Sequence, residues 1–416
     1  MLTMLIFFVP RSIRNVYFAF KDCFDELQFN CPTACSFFLL FLFAQSSLCD
    51  FVRICGRCPS VSALNRAAFK FKPNRFMRRN QTRILKKLEA RDHGDFCFAV
   101  DDTANPKYGP TVFASASFGS SSGLYFGQKV LVLVVVDLRS HEAFPISYAF
   151  LSSKKDPHHV PAHERAQDLL ASAIAEGFPP MPVAADSWFD SKEFIKAVND
   201  LGCEFAGELK GNRLARPKAE SGAPRSKLGQ WFKNLMRQRL TQTRFQKRRE
   251  KRGKAFSEKT LFINGLDLPL KIIAVYNRIN GVTPFAFYAT TDSSMSGAKL
   301  WRMSRARWAI EVMFRDLKQS LGFGRLTAGG EGGAHMAVCL PLILLTSIRL
   351  EADETWESQA RETLGTIVKH QREGALTKSI ETMIHNPGTA RLERLQARRK
   401  NPNRKPTNKC GEKTVA

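Results

Sequence analysis

Phe96-Cys97-Phe98-Ala99-Val100-Asp101-Asp102-Thr103 is an unbroken apolar run closed by two aspartates and a threonine. A run this short, continuous rather than alternating, is the pattern of a strand covered on both faces. Working outward, Lys129–Asp137 reads as a second strand and Ile146–Leu151 as a third, joined by the polar turn Leu138–Glu142 as a hairpin. The Gly/Ser-rich stretch Ser115–Gly127 before them reads as a loop. Ala162–Glu176 has the pattern of a helix stopped by Gly177 and by Pro179 and Pro180. Val183-Ala184-Ala185 is then a short strand that delivers Asp186, Ser191–Leu201 a helix ended by Gly202, and Phe205–Leu209 a fifth strand.

The order is β-β-β-α-β-α-β, with acids at the ends of the first and fourth strands. Placed side by side in a sheet, those strands bring Asp101 or Asp102 to Asp186. This is the topology of an α/β, ribonuclease H-like fold, a mixed sheet flanked by helices. Side chains alternate along a strand, so only one of Asp101 and Asp102 can face Asp186. Apolar neighbours on both faces leave that choice open.

Five segments follow from the pattern. Residues 1–92 read as helical, with Ser60 as a cap and a basic helix over Arg78–Ala90, either a DNA-binding region or a helical lid. Residues 93–209 are the first part of the core, and 210–297 a basic loop (Lys210–Lys254) followed by a β-rich insertion. Its strands are Thr260–Ile263, Leu270–Tyr276 and Pro284–Thr291, with Asn280-Gly281 as a turn signal. Residues 298–350 complete the core with one helix over Ala298–Leu321 and an apolar helix over His335–Leu350 containing Pro341. Residues 351–416 are a basic tail.

Lys plus Arg number 63 against 38 Asp plus Glu, a net charge of +25. With 44% apolar residues the chain has an ordinary core, so the excess positive charge points to polyphosphate. The apolar run Phe37–Ala44 is too short to span a bilayer, which needs roughly 18 residues, and a cytoplasmic location is expected. Cys31, Cys35, Cys49, Cys55 and Cys58 have spacing compatible with zinc, or are simply reduced thiols. His159 and His163 are four residues apart, but Pro161 between them argues against a shared helical metal site.

The second decisive stretch is Arg307-Trp308-Ala309-Ile310-Glu311-Val312-Met313-Phe314-Arg315-Asp316-Leu317-Lys318. Ile310, Met313, Phe314, Leu317 and Leu321 form one stripe of a helix. Glu311 and Lys318 lie about 40° and about 20° from Arg307 around that wheel, so one carboxylate sits between two cations on a narrow face. Asp101 (or Asp102), Asp186 and Glu311 thus form a set of acids that repel one another unless a hard cation joins them. Two Mg²⁺ ions held there, with Mn²⁺ as substitute, are suited to displacement at a phosphodiester.

Ser304-x2-Arg307-x3-Glu311-x6-Lys318 resembles the Tyr-x2-Arg-x3-Glu-x6-Lys signature of bacterial insertion-sequence transposases of the Asp-Asp-Glu superfamily. Phe98–Thr103 is similar to their first-aspartate strand and Ala184–Phe189 to their second, over a span of about Asp92–Leu350. The resemblance implies that Asp101, Asp186 and Glu311 bind the metals and carry catalysis. The family's Asp-x-Thr spacing favours Asp101 over Asp102. It further implies that Arg307 and Lys318 contact DNA phosphates, while Trp188 and Trp308 either stack on a base or fill the core. Ser304 departs from the signature tyrosine. The implied activity is cleavage at transposon ends and joining to target DNA, with a catalytically inactive DNA-binding repressor or a nuclease without strand transfer as alternatives. The implied partners are double-stranded DNA and, in the DNA complex, a second copy of the chain, with no membrane. DNA binding is expected to weaken steeply with salt, each neutralised phosphate adding roughly 0.9 to the log–log slope, and filter binding across a salt series checks it.

Overall fold

The computed structural model describes residues 11–45, 47–54, 58–90, 95–107, 112–120, 123–219, 225–237, 243–244, 255–277, 281–327, 329–354 and 364–373. Its centre is strand β1 (Phe96–Pro106), which runs antiparallel to β3 (Gly123–Asp137) and parallel to β5 (Val183–Ala184). β4 (Glu142–Leu151) lies on the far side of β3. A parallel bridge from Val183 to Phe205 leads on to β6 (Ala206–Leu209). The resulting order β4-β3-β1-β5-β6 is the ribonuclease H-like mixed sheet.

Alternation along β1 divides the core in two. Cys97 and Ala99 face one hydrophobic cluster, shared with Ile310, Met313, Phe314 and Leu317. Phe96, Phe98 and Val100 face the other, with Leu170 of α7 (Ala162–Ala175) and Phe194 of α8 (Lys192–Asp200). The first of these helices follows Pro161 and the second is capped by Ser191, whose hydroxyl accepts from Phe194 N at 3.1 Å. Gly202, at φ +73°, lets the chain reverse after α8, a conformation other residues resist.

The first cluster also holds the N-terminal helices α1 (Arg11–Ala19), α2 (Lys21–Glu26), α3 (Cys31–Leu42), α4 (Leu48–Ile54), α5 (Val61–Phe69) and α6 (Pro73–Glu89). Their phenylalanines interlock: Phe76 lies 4.8 Å edge-on from Phe24, 4.9 Å from Phe71 and 6.1 Å from Phe20. The basic helix starts five residues earlier than the sequence reading, because Pro73 is pre-set for a first helical turn. Much of its polar face is turned inward. Asn80 Nδ2 donates to Pro145 O at 2.8 Å and Gln81 Nε2 to Ile146 O at 3.0 Å, while Arg83 Nη1 reaches Ser347 Oγ at 2.6 Å. Those amides satisfy carbonyls of β4 where its pairing with β3 is interrupted, blunting an exposed sheet edge. Cys31 and Cys35 stand 3.8 Å apart on α3, but among the described residues no His, Cys or acidic group forms a metal cluster; Cys55 lies outside them.

Three expectations change. Ser115–Gly127 is not a loop: β2 (Ser115–Ser120) pairs with the start of β3, and Phe118 and Tyr125 stack across the pair at 5.7 Å. Small residues hid a strand whose fixing contacts come from two aromatics. Within Lys210–Lys254 the described residues include β7 (Leu214–Arg216), β8 (Ser226–Lys227), α9 (Leu228–Arg237) and β9 (Thr243–Arg244). Helix α9 forms because Leu228 and Phe232 are buried and Trp231 Nε1 donates to Ala215 O at 3.0 Å. Residues 220–224, 238–242 and 245–254 of that basic stretch, Asn280 of the turn signal, and residues 355–363 and 374–416 of the tail lie outside the described residues. The third change is at the Ala298–Leu321 helix, which is two: α10 (Gly297–Ala306) and α11 (Trp308–Ser320), meeting at Arg307.

The insertion strands β10 (Ala255–Ile263), β11 (Pro269–Tyr276) and β12 (Ala286–Thr290) continue from β6 as a second antiparallel sheet. Helix α12 (Gly330–Glu354) is long and apolar enough to cross a membrane, but 89% of its apolar window is buried inside the protein, where it backs the sheet and the N-terminal helices. Replacing Phe76 by Ala is expected to cost ~3–5 kcal/mol. Urea denaturation should show one transition at a lower midpoint, since the N-terminal helices share a core with α11 and α12; a second, unshifted transition would contradict this.

Candidate active site

Strand parity separates the two adjacent aspartates. Asp101 follows Cys97 and Ala99 onto the face covered by α11, whereas Asp102 turns to the opposite face and pairs with Lys129 of β3 at 2.9 Å. The parallel register Phe98–Val183 and Ala99–Ala184, carried two residues further, sets Asp186 beside Asp101. Asp186 is fixed by an Asx turn, its Oδ1 accepting from Trp188 N at 2.9 Å. Glu311 lies in the first turn of α11.

Arg307 joins these elements. Its Nη1 donates to Asp101 Oδ2 at 3.0 Å and its Nη2 lies 2.7 Å from Glu311 Oε1. Both the arginine and Asp101 side chains are only 18% exposed, so this is a sheltered pair rather than a solvated surface contact. Burial pushes the Asp101 carboxyl up to about 7; the neighbouring Asp186 charge adds to the push and the Arg307 guanidinium opposes it. Burial also raises Asp186, against the Trp188 amide and Arg307. Lys318 sits two turns along α11 and gives its Nζ to Ala104 O at 2.9 Å, at the far end of β1. Burial lowers its pKa.

Trp188 is 82% exposed and Trp308 59%, so neither fills the core. Lys210 Nζ stands 5.6 Å over the Trp188 ring and 3.8 Å from Asp190 Oδ1. Asp190 is buried and also holds Arg213, with Nη2 to Oδ1 at 2.9 Å and Nε to Oδ2 at 3.2 Å. His159 bonds Ser152 through Nδ1, at 3.1 Å to the carbonyl and 3.2 Å to the hydroxyl, and makes no pair with His163.

Sequence reasoning missed Glu208. It lies on β6, half-buried, with its backbone N–H on Ala185 O at 3.1 Å, one residue before Asp186. Gly207 permits that approach, because a Cβ there would meet the Phe205 ring and stand 2.9 Å from Ala185 O. Burial raises the Glu208 carboxyl, Arg307 counteracts and Asp186 and Asp190 reinforce. Only its place on a strand beside the Asp186 strand could have flagged it.

Among the described residues no three metal-ligating side chains converge by themselves; a guanidinium stands between two of the acids. The donor set is nevertheless all oxygen, partly buried and short of positive charge, which suits a hard divalent cation. For stability the sign is clear. A carboxyl raised in the folded state contributes stability that is fully present below its unfolded value of about 4 and is lost as the pH rises through about 7. In EDTA, thermal stability is therefore expected to fall as the pH rises from about 4 to about 7, and Asp101→Asn should flatten the fall.

Residues 92–346 match the family described as "Transposase DDE domain". No curated protein matches the chain. Among solved structures, the chain is similar to the piggyBac transposase of a cryo-EM synaptic complex with hairpin DNA, at 10% identity and a TM-score of 0.41. That likeness covers 84% of this chain and 62% of the other, so the chain spans less than two thirds of it.

Proposed function

The chain belongs to the transposase DDE domain family, and on that premise we propose that it is a Mg²⁺-dependent DNA transposase of the bacterial insertion-sequence type. The observation that carries this reading is the gathering of Asp101, Asp186 and Glu311 from three separate elements around Arg307. Asp101, Asp186 and Glu311 would hold two divalent ions, which supply Lewis acidity at phosphate oxygens and acidify bound water. The finer domain limits, a cytoplasmic location and a homodimer on DNA belong to the same proposal.

In this reading water attacks phosphorus at the transposon end, the P–O3′ bond breaks, and the departing 3′-oxygen takes up a proton. The freed 3′-hydroxyl then attacks a target phosphodiester, whose own P–O3′ bond breaks. Arg307 and Lys318 neutralise phosphate charge, and Arg307 is suited to it by its planar fork. Trp188 and Trp308 offer exposed ring faces on which bases can stack. Serine at position 304 cannot provide the ring of the signature tyrosine, so the tyrosine's share of DNA contact falls to other groups.

The test is incubation of the protein and Mg²⁺ with its flanking genomic DNA, scored for cleavage at inverted repeats and for strand-transfer products. Cleavage without transfer would support a simple nuclease instead. Glu311→Gln preserves shape and the surrounding cations, so DNA binding should persist while cleavage drops by more than about 100-fold, beyond the loss typical of outer-shell metal partners. Cleavage within a few-fold of wild type would remove Glu311 from the site.

A further inference from the structure

Arg307 carries more than a phosphate contact requires. Its two terminal nitrogens are each committed to a different carboxylate, Nη1 to Asp101 at 3.0 Å and Nη2 to Glu311 at 2.7 Å, in a sheltered position. Those are oxygens that the proposed divalent ions would need. A guanidinium and a divalent ion cannot both bond the same lone pairs at such distances, so the two compete.

The charge balance around Arg307 is uneven. Asp101, Asp186, Glu311 and Glu208 all act on it or feel it. Of these, Glu208 is the one whose carboxylate has no ion pair or hydrogen bond among the described residues. It is half-buried, stands in register with Tyr288 of β12, and adjoins Asp186 through the backbone bond to Ala185. A half-buried carboxylate without a partner is costly, and a nearby guanidinium released from elsewhere would satisfy it.

We propose that Arg307 is the internal counter-ion of the site, holding Asp101 and Glu311 until divalent ions take them, and that Glu208 is the positioning residue that receives the displaced guanidinium beside incoming phosphate. This rests on the divalent-ion reading above. In it, part of the metal-binding free energy is used to break two charge-assisted hydrogen bonds. A DNA phosphate offers Arg307 a new partner and returns part of that cost. Metal and DNA then strengthen each other's binding, and the coupling must be reciprocal.

The experiment is titration of Mn²⁺ into DNA-free protein, followed by electron paramagnetic resonance of the free ion, and repeated with a duplex oligonucleotide. Arg307→Gln should bind Mn²⁺ about tenfold more tightly than wild type, equivalent to ~1.4 kcal/mol of pairing no longer broken. Glu208→Gln should bind it several-fold more weakly. DNA should tighten Mn²⁺ binding in wild type and not in Arg307→Gln. Circular dichroism checks that each variant folds, and Arg307→Lys, which can keep one of the two contacts, should fall between wild type and Arg307→Gln if the latter does not fold. Equal or weaker Mn²⁺ binding by the folded Arg307 variants overturns this role while leaving the metal reading intact. Absence of Mn²⁺ binding in wild type and variants alike overturns both.

Discussion

One guanidinium shared by two carboxylates ties the central strand to the helix that covers it. Arg307 reaches Asp101 at the end of β1 and Glu311 in the first turn of α11, and it sits where α10 gives way to α11. The interruption matters mechanically. Ile310 N bonds Arg307 O at 3.0 Å, a three-residue spacing that tightens the chain and starts α11 afresh. Below the polar contact, Ile310, Met313, Phe314 and Leu317 are buried against the face of the sheet that carries Cys97 and Ala99. The apolar stripe fixes the rotation of α11, and that rotation presents Glu311 to Asp101.

The platform under α11 is correspondingly heavy. Helix α12 packs between it and the N-terminal helices, whose phenylalanines fill the same cluster. Arg349 of α12 reaches Asp316 of α11 at 3.7 Å and bonds Ala143 O of β4. Together with Asn80 and Gln81, it places three side-chain donors on carbonyls of β4 at 143, 145 and 146. The N-terminal helices therefore brace the sheet. A site whose acids repel one another needs this bracing, because the repulsion is borne by packing elsewhere.

Much of this was legible in the chain. The continuous apolar strands, the acids at their ends and the glycine stops all follow from local patterns, and the structure has strands and helices where those patterns lie. What escaped depended on partners distant in sequence. Alternation alone did not separate Asp101 from Asp102, since Phe98 and Val100 on one face look no different in sequence from Cys97 and Ala99 on the other; which of the two faces Arg307 depends on which helix covers which face. The paired segment of β2 and the start of β3 reads as a loop in sequence because glycine and serine carry a turn signature, while a cross-strand contact of the Phe118 and Tyr125 rings supports its pairing. Glu208 gave no local signal at all: it belongs to the site only because β6 lies beyond β5 in the sheet.

The electrostatics give the last step. Asp101 and Asp186 are both pushed up by burial and by neighbouring acids; Arg307 opposes the push on each, joined by the Asp102 amide at Asp101 and by the Trp188 amide and Lys210 at Asp186. A structure selected only for stability would replace such acids or add a second cation within bonding distance. Lys318 is committed to Ala104 O, and Lys210, which also favours the charged form of Asp186, leans over Trp188 towards Asp190. The nearby lysines are thus engaged at the margins of the acid cluster, while its centre keeps a deficit of positive charge. That deficit is unfavourable to the folded chain alone and favourable to binding of a small, highly charged cation.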